Sequence, residues 1–255
     1  MWFSVPLRAA PFCSVTSVSP QTLKDTNMRA LSLLMLLAAP LAAQQPAYPT
    51  PATPATPAAP AARNADPDHM VQGTGLPAGW SGRTDRGQAI AGARFAPMAP
   101  GYHATTGPAV ILWRAADRAA AGFHTVATLH QTKAPAHPEG FGMFVAGNSL
   151  DSASQSYIYL LVRGDGAYLI KRRVGTVVTS IADWTVSPAV NKADAAGQST
   201  NKIEIQSTAG KLSFTINGTK VHEMAATTAE TAGIVGLRIN HNLDVHIEGF
   251  ALHQF

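Results

Sequence analysis

Residues 211–224 read KLSFTINGTKVHEM, with Leu212, Phe214 and Ile216 alternating with polar positions up to Asn217-Gly218. A period of two puts every second side chain on one side of the backbone, as in an extended strand. Asn-Gly suits the two positive φ values of a type I′ turn, whose twist matches two antiparallel strands. The segment therefore predicts a hairpin, which sets strands, their direction and their register together. A second hairpin is expected in SYIYLLVRGDGAYLIKRR, turning at Gly164-Asp165-Gly166. Further strands are predicted in AVILWR from Ala109, FHTVATLHQ from Phe123, FGMFVAG from Phe141, NKIEIQS from Asn201, IVGLRIN from Ile234 and LDVHIEGFALHQ from Leu243. Beyond residue 43 no sustained helical period occurs; RAADRAAAG from Arg114 is expected as a loop or a single helical turn. Eight to twelve short strands with regular turn signals predict an all-β fold, a two-sheet antiparallel β-sandwich over residues 71–255. Alternation further predicts that each sheet keeps one wet face. No long repeat is visible, which argues against a propeller or solenoid.

The N-terminal quarter has a different texture. MRALSLLMLLAAPLAAQQ, from Met28, has the positive start, apolar stretch and small-residue cleavage region of a secretory signal over residues 28–43. Its roughly 14 apolar residues fall short of the ~20 that span a bilayer, so no stable membrane insertion is expected after cleavage. Residues 1–27 show no clear pattern and are expected to be an over-extended start. Residues 44–70 are rich in Pro, Ala and Thr and read as an extended, polyproline-like tether. Cys13 is the only cysteine and precedes the expected cleavage point, leaving no disulfide, thiolate nucleophile or cysteine metal ligand in the mature chain. A disulfide-free exported protein, secreted or periplasmic, points to a bacterial source. The net charge is +4, but without Arg8, Lys24, Arg29 and Asp25 of the first 43 residues 16 basic residues face 14 acidic ones. Beyond Lys171, Arg172 and Arg173 they are scattered, so nucleic acid is not an expected partner.

Motifs for chemistry are few. In HNLDVHIE, Leu243, Val245 and Ile247 point one way along a strand, and Asp244, His246 and Glu248 the other. Three readings fit: a solvated face, part of a ligand surface, or a metal site using Asp244 and His246. Side chains at i and i+2 lie roughly 6.5–7 Å apart, so all three converge only if the strand bends. Gly249 followed by Phe250 and Leu252 on the opposite phase predicts a bulge. His241, Asp244 and Glu248 are the candidate acid/base groups, although no compact pair of carboxylates, no G-x-S-x-G elbow and no H-E-x-x-H motif appears. No cofactor is implied. Arg163-Gly164-Asp165 and Asn217-Gly218-Thr219 read as turn chemistry. The aromatic pattern is more suggestive. Tyr157 and Tyr159 share a face with Leu161 and Arg163, and Tyr168 and Arg172 share one face of the next strand. Tyrosine offers a flat apolar surface with a polar tip, suited to a sugar ring. Tyr157, Tyr159, Arg163, Tyr168 and Arg172 are thus candidate ligand-binding residues. Cross-strand pairs half buried in a sheet are the competing reading. Trp80, Trp113 and Trp184 read as core or loop anchors.

The run FGMFVAG…QSYIYLLVRGDGAYLIKRR…KLSFTINGTKVHEM…GIVGLRINHNLDVHIEGFAL resembles the concanavalin-A-like lectin/glucanase sandwich. Within it, the order Ile216-Asn217-Gly218, then Gly233, Ile234, Gly236 and Leu237, then Phe250 and Leu252 is most similar to 3-keto-disaccharide hydrolase-like domains of secreted bacterial proteins. The similarity covers roughly residues 76–255. It implies a jelly roll whose concave sheet, including the strands at Phe141, Tyr157 and Tyr168, faces a glycan or oligosaccharide. His241 stands near a position where that family often has a histidine. The expectation is a carbohydrate-binding sandwich, with a glycoside hydrolase-like enzyme or an envelope protein-interaction module as alternatives.

Overall fold

Fourteen strands and one short helix follow one another in the computed structural model, which describes residues 66–73, 75–87 and 89–255. The expected signal, the segment before it and most of the tether lie outside the described residues. The strands are β1 (Trp80–Thr84), β2 (Ala93–Pro97), β3 (Gly101–Thr106), β4 (Val110–Ala119), β5 (Phe123–Gln131), β6 (Phe141–Asn148) and β7 (Ser156–Arg163). After these come β8 (Ala167–Val174), β9 (Val177–Val186), β10 (Ser199–Thr208), β11 (Lys211–Ile216) and β12 (Thr219–Ala225). The helix α1 (Thr228–Thr231) precedes β13 (Gly233–Ile239) and β14 (Asp244–Gln254). They form two seven-stranded antiparallel sheets, the first in the order β1-β4-β13-β6-β7-β8-β9 and the second in the order β12-β11-β10-β5-β14-β3-β2. The all-β antiparallel sandwich is what the alternation predicted. Among the described residues no helix is long and apolar enough to cross a membrane.

Both predicted hairpins form. Ile216 pairs with Thr219 around Asn217 and Gly218, whose φ angles of 50° and 81° are those of a type I′ turn. Arg163 pairs with Ala167 across Gly164-Asp165-Gly166, and the register slips between Glu248 and Ala251, at the expected bulge. Three expectations change. The strand count is fourteen, because short β1, β2, β3 and the exposed β9 carry too weak an apolar pattern to stand out. RAADRAAAG is largely strand, since β4 continues to Ala119 and pairs with Gly233 and Ile234 of β13. The third change concerns the wet faces.

The main core lies between the sheets. Leu112, Phe141, Met143, Leu160 and Ile170 of the first sheet are buried together with Leu129, Ile205, Phe214, Val245 and Ile247 of the second. Each such side chain contributes about 1.5–3 kcal/mol on leaving water. Trp80 closes one end of this core, edge-on to Phe95 at 4.8 Å and Tyr102 at 5.1 Å. The first sheet carries a second apolar layer on its other face, built from Ile111, Trp113, Phe144, Tyr157, Tyr159, Leu161 and Leu169. Strands β6 and β7 are consequently buried on both faces, and one of the two expected wet faces is closed.

Candidate functional site

Residues paired across neighbouring strands share a face. On the outer face of the first sheet one row runs Trp113, Gly236, Phe144, Tyr159, Lys171, and the next runs Ile111, Arg238, Gly142, Leu161, Leu169. Bare Gly236 makes the first row possible, because a Cβ there would lie 2.5 Å from the Phe144 ring. The second row puts a charge inside an apolar layer. Arg238 donates from Nη1 to Asp85 Oδ1 at 2.8 Å and to the Tyr157 hydroxyl at 3.0 Å, and from Nη2 to Asp85 Oδ2 at 2.7 Å. Its guanidinium lies 4.9 Å over the Tyr159 ring, and Arg173 donates to Asp85 at 3.2 Å. Burial pushes the Asp85 carboxyl up, but hydrogen bonds and charge from Arg238, with the charges of Arg173 and Arg83, outweigh it and hold the group below its ordinary value. Burial is also the main cause that raises the Tyr159 hydroxyl.

Beside this network the same face opens into a groove of about 450 Å³, lined by Ser81, Arg83, Trp113, Arg118, Ser149 and Asp151 among others. Ser81 faces Trp113 across β1 and β4. Arg83, with 8% of its surface exposed, donates from Nη1 to the carbonyls of Leu150 and Ser152 at 3.2 and 2.5 Å, tying β1 to the 149–155 loop that walls the groove. An aromatic edge, hydroxyls, guanidinium groups and one carboxylate thus converge on a cleft large enough for a small oligosaccharide.

The outer face of the second sheet is polar. His246 stands directly between His103 of β3 and His130 of β5, with ring centroids 6.1 and 5.8 Å apart. Asp244 lies 2.8 Å from His103 and 3.1 Å from Lys133, and accepts from Thr132 and Thr105. The His103 hydrogen bond is the largest cause of its lowered pKa, working against burial with help from Thr132 and Lys133. Glu248 lies 3.3 Å from His246 and 3.5 Å from His130. His241 belongs elsewhere, 2.8 Å from Glu139 and 3.5 Å from Asp68.

The sequence-predicted residues are therefore divided. His241 is hydrogen-bonded to Glu139 and Asp244 to His103, while Glu248 only lies within ion-pair distance of His246 and His130, and Asp244 and Glu248, four residues apart on one strand, are separated by about 13 Å. Among the described residues no group of three or more His, Cys, Asp or Glu side chains could hold a metal ion, Asp244 and His246 included. The five supposed ligand contacts do not form one surface. Tyr157 and Tyr159 are 1% and 5% exposed in the outer layer. Tyr168 faces the other sheet and donates its hydroxyl to Val221 at 3.1 Å. Arg172 shares that inner side and pairs with Glu230 of α1, while Arg163 is held by Asp165 at 2.7–2.8 Å and stacks 4.2 Å from Trp184. The physical reason is register: Arg163 opposite Ala167 puts Tyr157 opposite Arg173, so Arg172 falls on the other face. Sequence reasoning missed Asp85, Arg83, Arg238, His103 and His130. Arg238 carried a signal, a lone charge between Leu237 and Ile239; Asp85 and Arg83 carried none.

The fold has relatives among solved structures. It is similar to the carbohydrate-binding module CBM66 from Bacillus subtilis, with TM-score 0.51 and 8% identity over 72% of this chain and 99% of that one. It is also similar to a protein of unknown function with a galectin-like fold, again from Bacillus subtilis, with TM-score 0.50 and 14% identity over 69% of this chain and 89% of that one. What they share with this chain is a two-sheet antiparallel β-sandwich. Likeness at this identity concerns the fold and leaves function to the site. No family model and no curated protein matches the sequence.

Proposed function

We propose that this protein is an exported carbohydrate-binding domain carried on a Pro/Ala/Thr tether, and that it binds sugar in the groove beside Trp113. The observation that carries the reading is the groove itself, where an indole, two serine hydroxyls and two arginines line one cleft on the outer face of a jelly-roll sheet. Sugar hydroxyls need directional donors and acceptors, which the serines, arginines and Asp151 supply, while Trp113, 7% exposed, offers a narrow apolar edge rather than a stacking face. The likeness to CBM66, a carbohydrate-binding module by name, supports the same class of ligand, and the signal-like segment of residues 28–43 supports export. The tyrosines have a supporting role, because Tyr157 and Tyr159 form the floor that holds Arg238 and Asp85 in place. The hydrolase alternative, with the finer likeness to 3-keto-disaccharide hydrolases, gains no support from His241, Asp244 and Glu248, which engage three different sets of partners.

Calorimetry of the full chain against a panel of neutral and acidic oligosaccharides tests the reading. Exposed Ser81, which faces Trp113 across the strands, is the position to alter. Ser81→Trp should fill the groove and weaken binding at least tenfold while the far-UV spectrum stays that of a β-sandwich. No heat with any glycan, or equal affinity for the variant, would overturn it.

A further inference from the structure

The groove carries more positive charge than it neutralises. Four guanidinium groups, those of Arg83, Arg118, Arg173 and Arg238, lie in or beside it, against the carboxylates of Asp85 and Asp151. Asp85 is engaged on both oxygens by Arg238 and on one by Arg173, so its charge is already matched. Arg83 is more than nine-tenths buried, yet its hydrogen bonds among the described residues all run to carbonyls, those of Thr84, Leu150 and Ser152. Its Nη2 points along the groove lining at Gly87, where a Cβ would lie 2.8 Å from that nitrogen. With glycine there, Nη2 has no side chain packed over it from that residue. Arg118 is exposed on the groove wall and makes no ion pair among the described residues. A buried guanidinium without a carboxylate partner retains a strong preference for an anion, and Nη2, the one nitrogen of Arg83 with no hydrogen bond among the described residues, is the donor left to meet it.

Resting on the carbohydrate-binding reading of this groove, we infer that its ligand is an acidic glycan, a uronic-acid-containing oligosaccharide whose carboxylate is received by Arg83 and Arg118 next to Trp113. Asp151, the one acid on the lining, stands ready to accept from a sugar hydroxyl.

The test uses the full chain and oligomers of galacturonate, glucuronate and mannuronate, each beside its methyl ester. The ester keeps the sugar and removes the charge. At least one acid form should bind tenfold or more tighter than its ester at low salt, and the margin should shrink as salt screens the arginines. Arg118→Gln, an exposed change that leaves packing intact, should reduce affinity for the acid about fivefold or more and affinity for the ester by clearly less, so that the margin between them narrows. Arg83→Gln should erase the margin, with thermal melting to confirm that the variant folds. Equal binding of acid and ester, or an intact margin in Arg118→Gln and a folded Arg83→Gln, would overturn the acidic-ligand inference while the carbohydrate reading stands. If the neutral panel, the acids and the esters all fail to bind, the carbohydrate reading falls first and takes this inference with it.

Discussion

The two outer faces of the sandwich began with the same prediction and have opposite fates. On the second sheet, β5 alternates buried and half-buried positions without a break, and its half-buried side carries His124, Thr128 and His130. On the first sheet, β6 is buried at seven successive positions. What differs is the side chains that alternation leaves outside. Histidine, threonine and glutamate keep their hydrogen bonds with water at little cost, whereas Phe144, Tyr157, Tyr159 and Leu161 gain free energy by leaving it. A period of two says which residues share a face; their chemistry decides whether that face stays wet. Closing an aromatic face also changes what a charge placed there does. Arg238, nearly desolvated, has to be matched by Asp85, and the pair becomes structural. Of the comparable charges on the second sheet, Glu248 lies beside His246 and His130 at the rim of solvent, and Asp244, more enclosed, is met by a histidine, two threonines and a lysine rather than by a buried guanidinium.

The sharpest way to break this comparison is to remove the buried charge. Arg238→Leu would leave Asp85 paired with Arg173 alone and without its bidentate partner, and would strip the Tyr157 hydroxyl of its donor. Breaking one side of a buried pair costs about 3–5 kcal/mol, and the lower end applies here because a third of the Asp85 side chain remains open to solvent. Urea denaturation should therefore show a loss of about 3 kcal/mol. A loss below about 1 kcal/mol would make the first outer face an ordinary surface, and the contrast would disappear.

Acid titration separates the faces more gently. Asp85 and Asp244 both have folded pKa values below the ordinary aspartate value of 3.8. The sign follows from linkage: each stabilises the fold fully above that value, and the contribution is lost as pH falls below it towards the folded pKa. Asp244→Asn removes the contribution of the second sheet and leaves that of Asp85. For a hydrogen bond to a charged group the loss is on the order of 2 kcal/mol at neutral pH. The variant should start less stable and lose less between pH 4 and pH 2 than the wild type does. If its denaturation midpoint falls as steeply as that of the wild type, Asp244 is not held by His103, Thr132 and Lys133 as the geometry requires.

Much of the fold was legible, and the reasons are local. Asn217-Gly218 and Gly164-Asp165-Gly166 each determine a turn, and a turn carries register outward along its strands. Counting from the second turn places Tyr157 opposite Arg173, so the turn alone separates Tyr168 and Arg172 from the tyrosine face. The site was less legible because its parts come from distant segments. Arg83, Trp113, Arg238 and, from the loop after β6, Asp151 come together only because β1, β4, β13 and β6 lie side by side, and that order follows from long-range pairing with no local signature. Asp85 follows the last residue of a five-residue edge strand, where propensity says almost nothing. The histidine row was half visible: His246 stood out in its own strand, but His103 and His130 join it only through the pairing of β14 with β3 and β5.

The smallest expected effect bears on whether that histidine row is structural at all. Glu248 is the acid shared by His246 and His130, at 3.3 and 3.5 Å, and its side chain is 36% exposed. Pairs at that distance and exposure are worth about 0–1 kcal/mol, because water already solvates both partners and salt screens their attraction. Glu248→Gln keeps the shape of the side chain and removes only its charge, so the free energy of unfolding at neutral pH should move by about 0.5 kcal/mol or less. Placed beside Arg238→Leu, that figure measures the contrast directly: a carboxylate on an open face against a guanidinium within a closed one. A cost above about 2 kcal/mol would mean that the row is held together by Glu248 as firmly as the first face is by Asp85, and the second outer face would then be an interlocked polar layer.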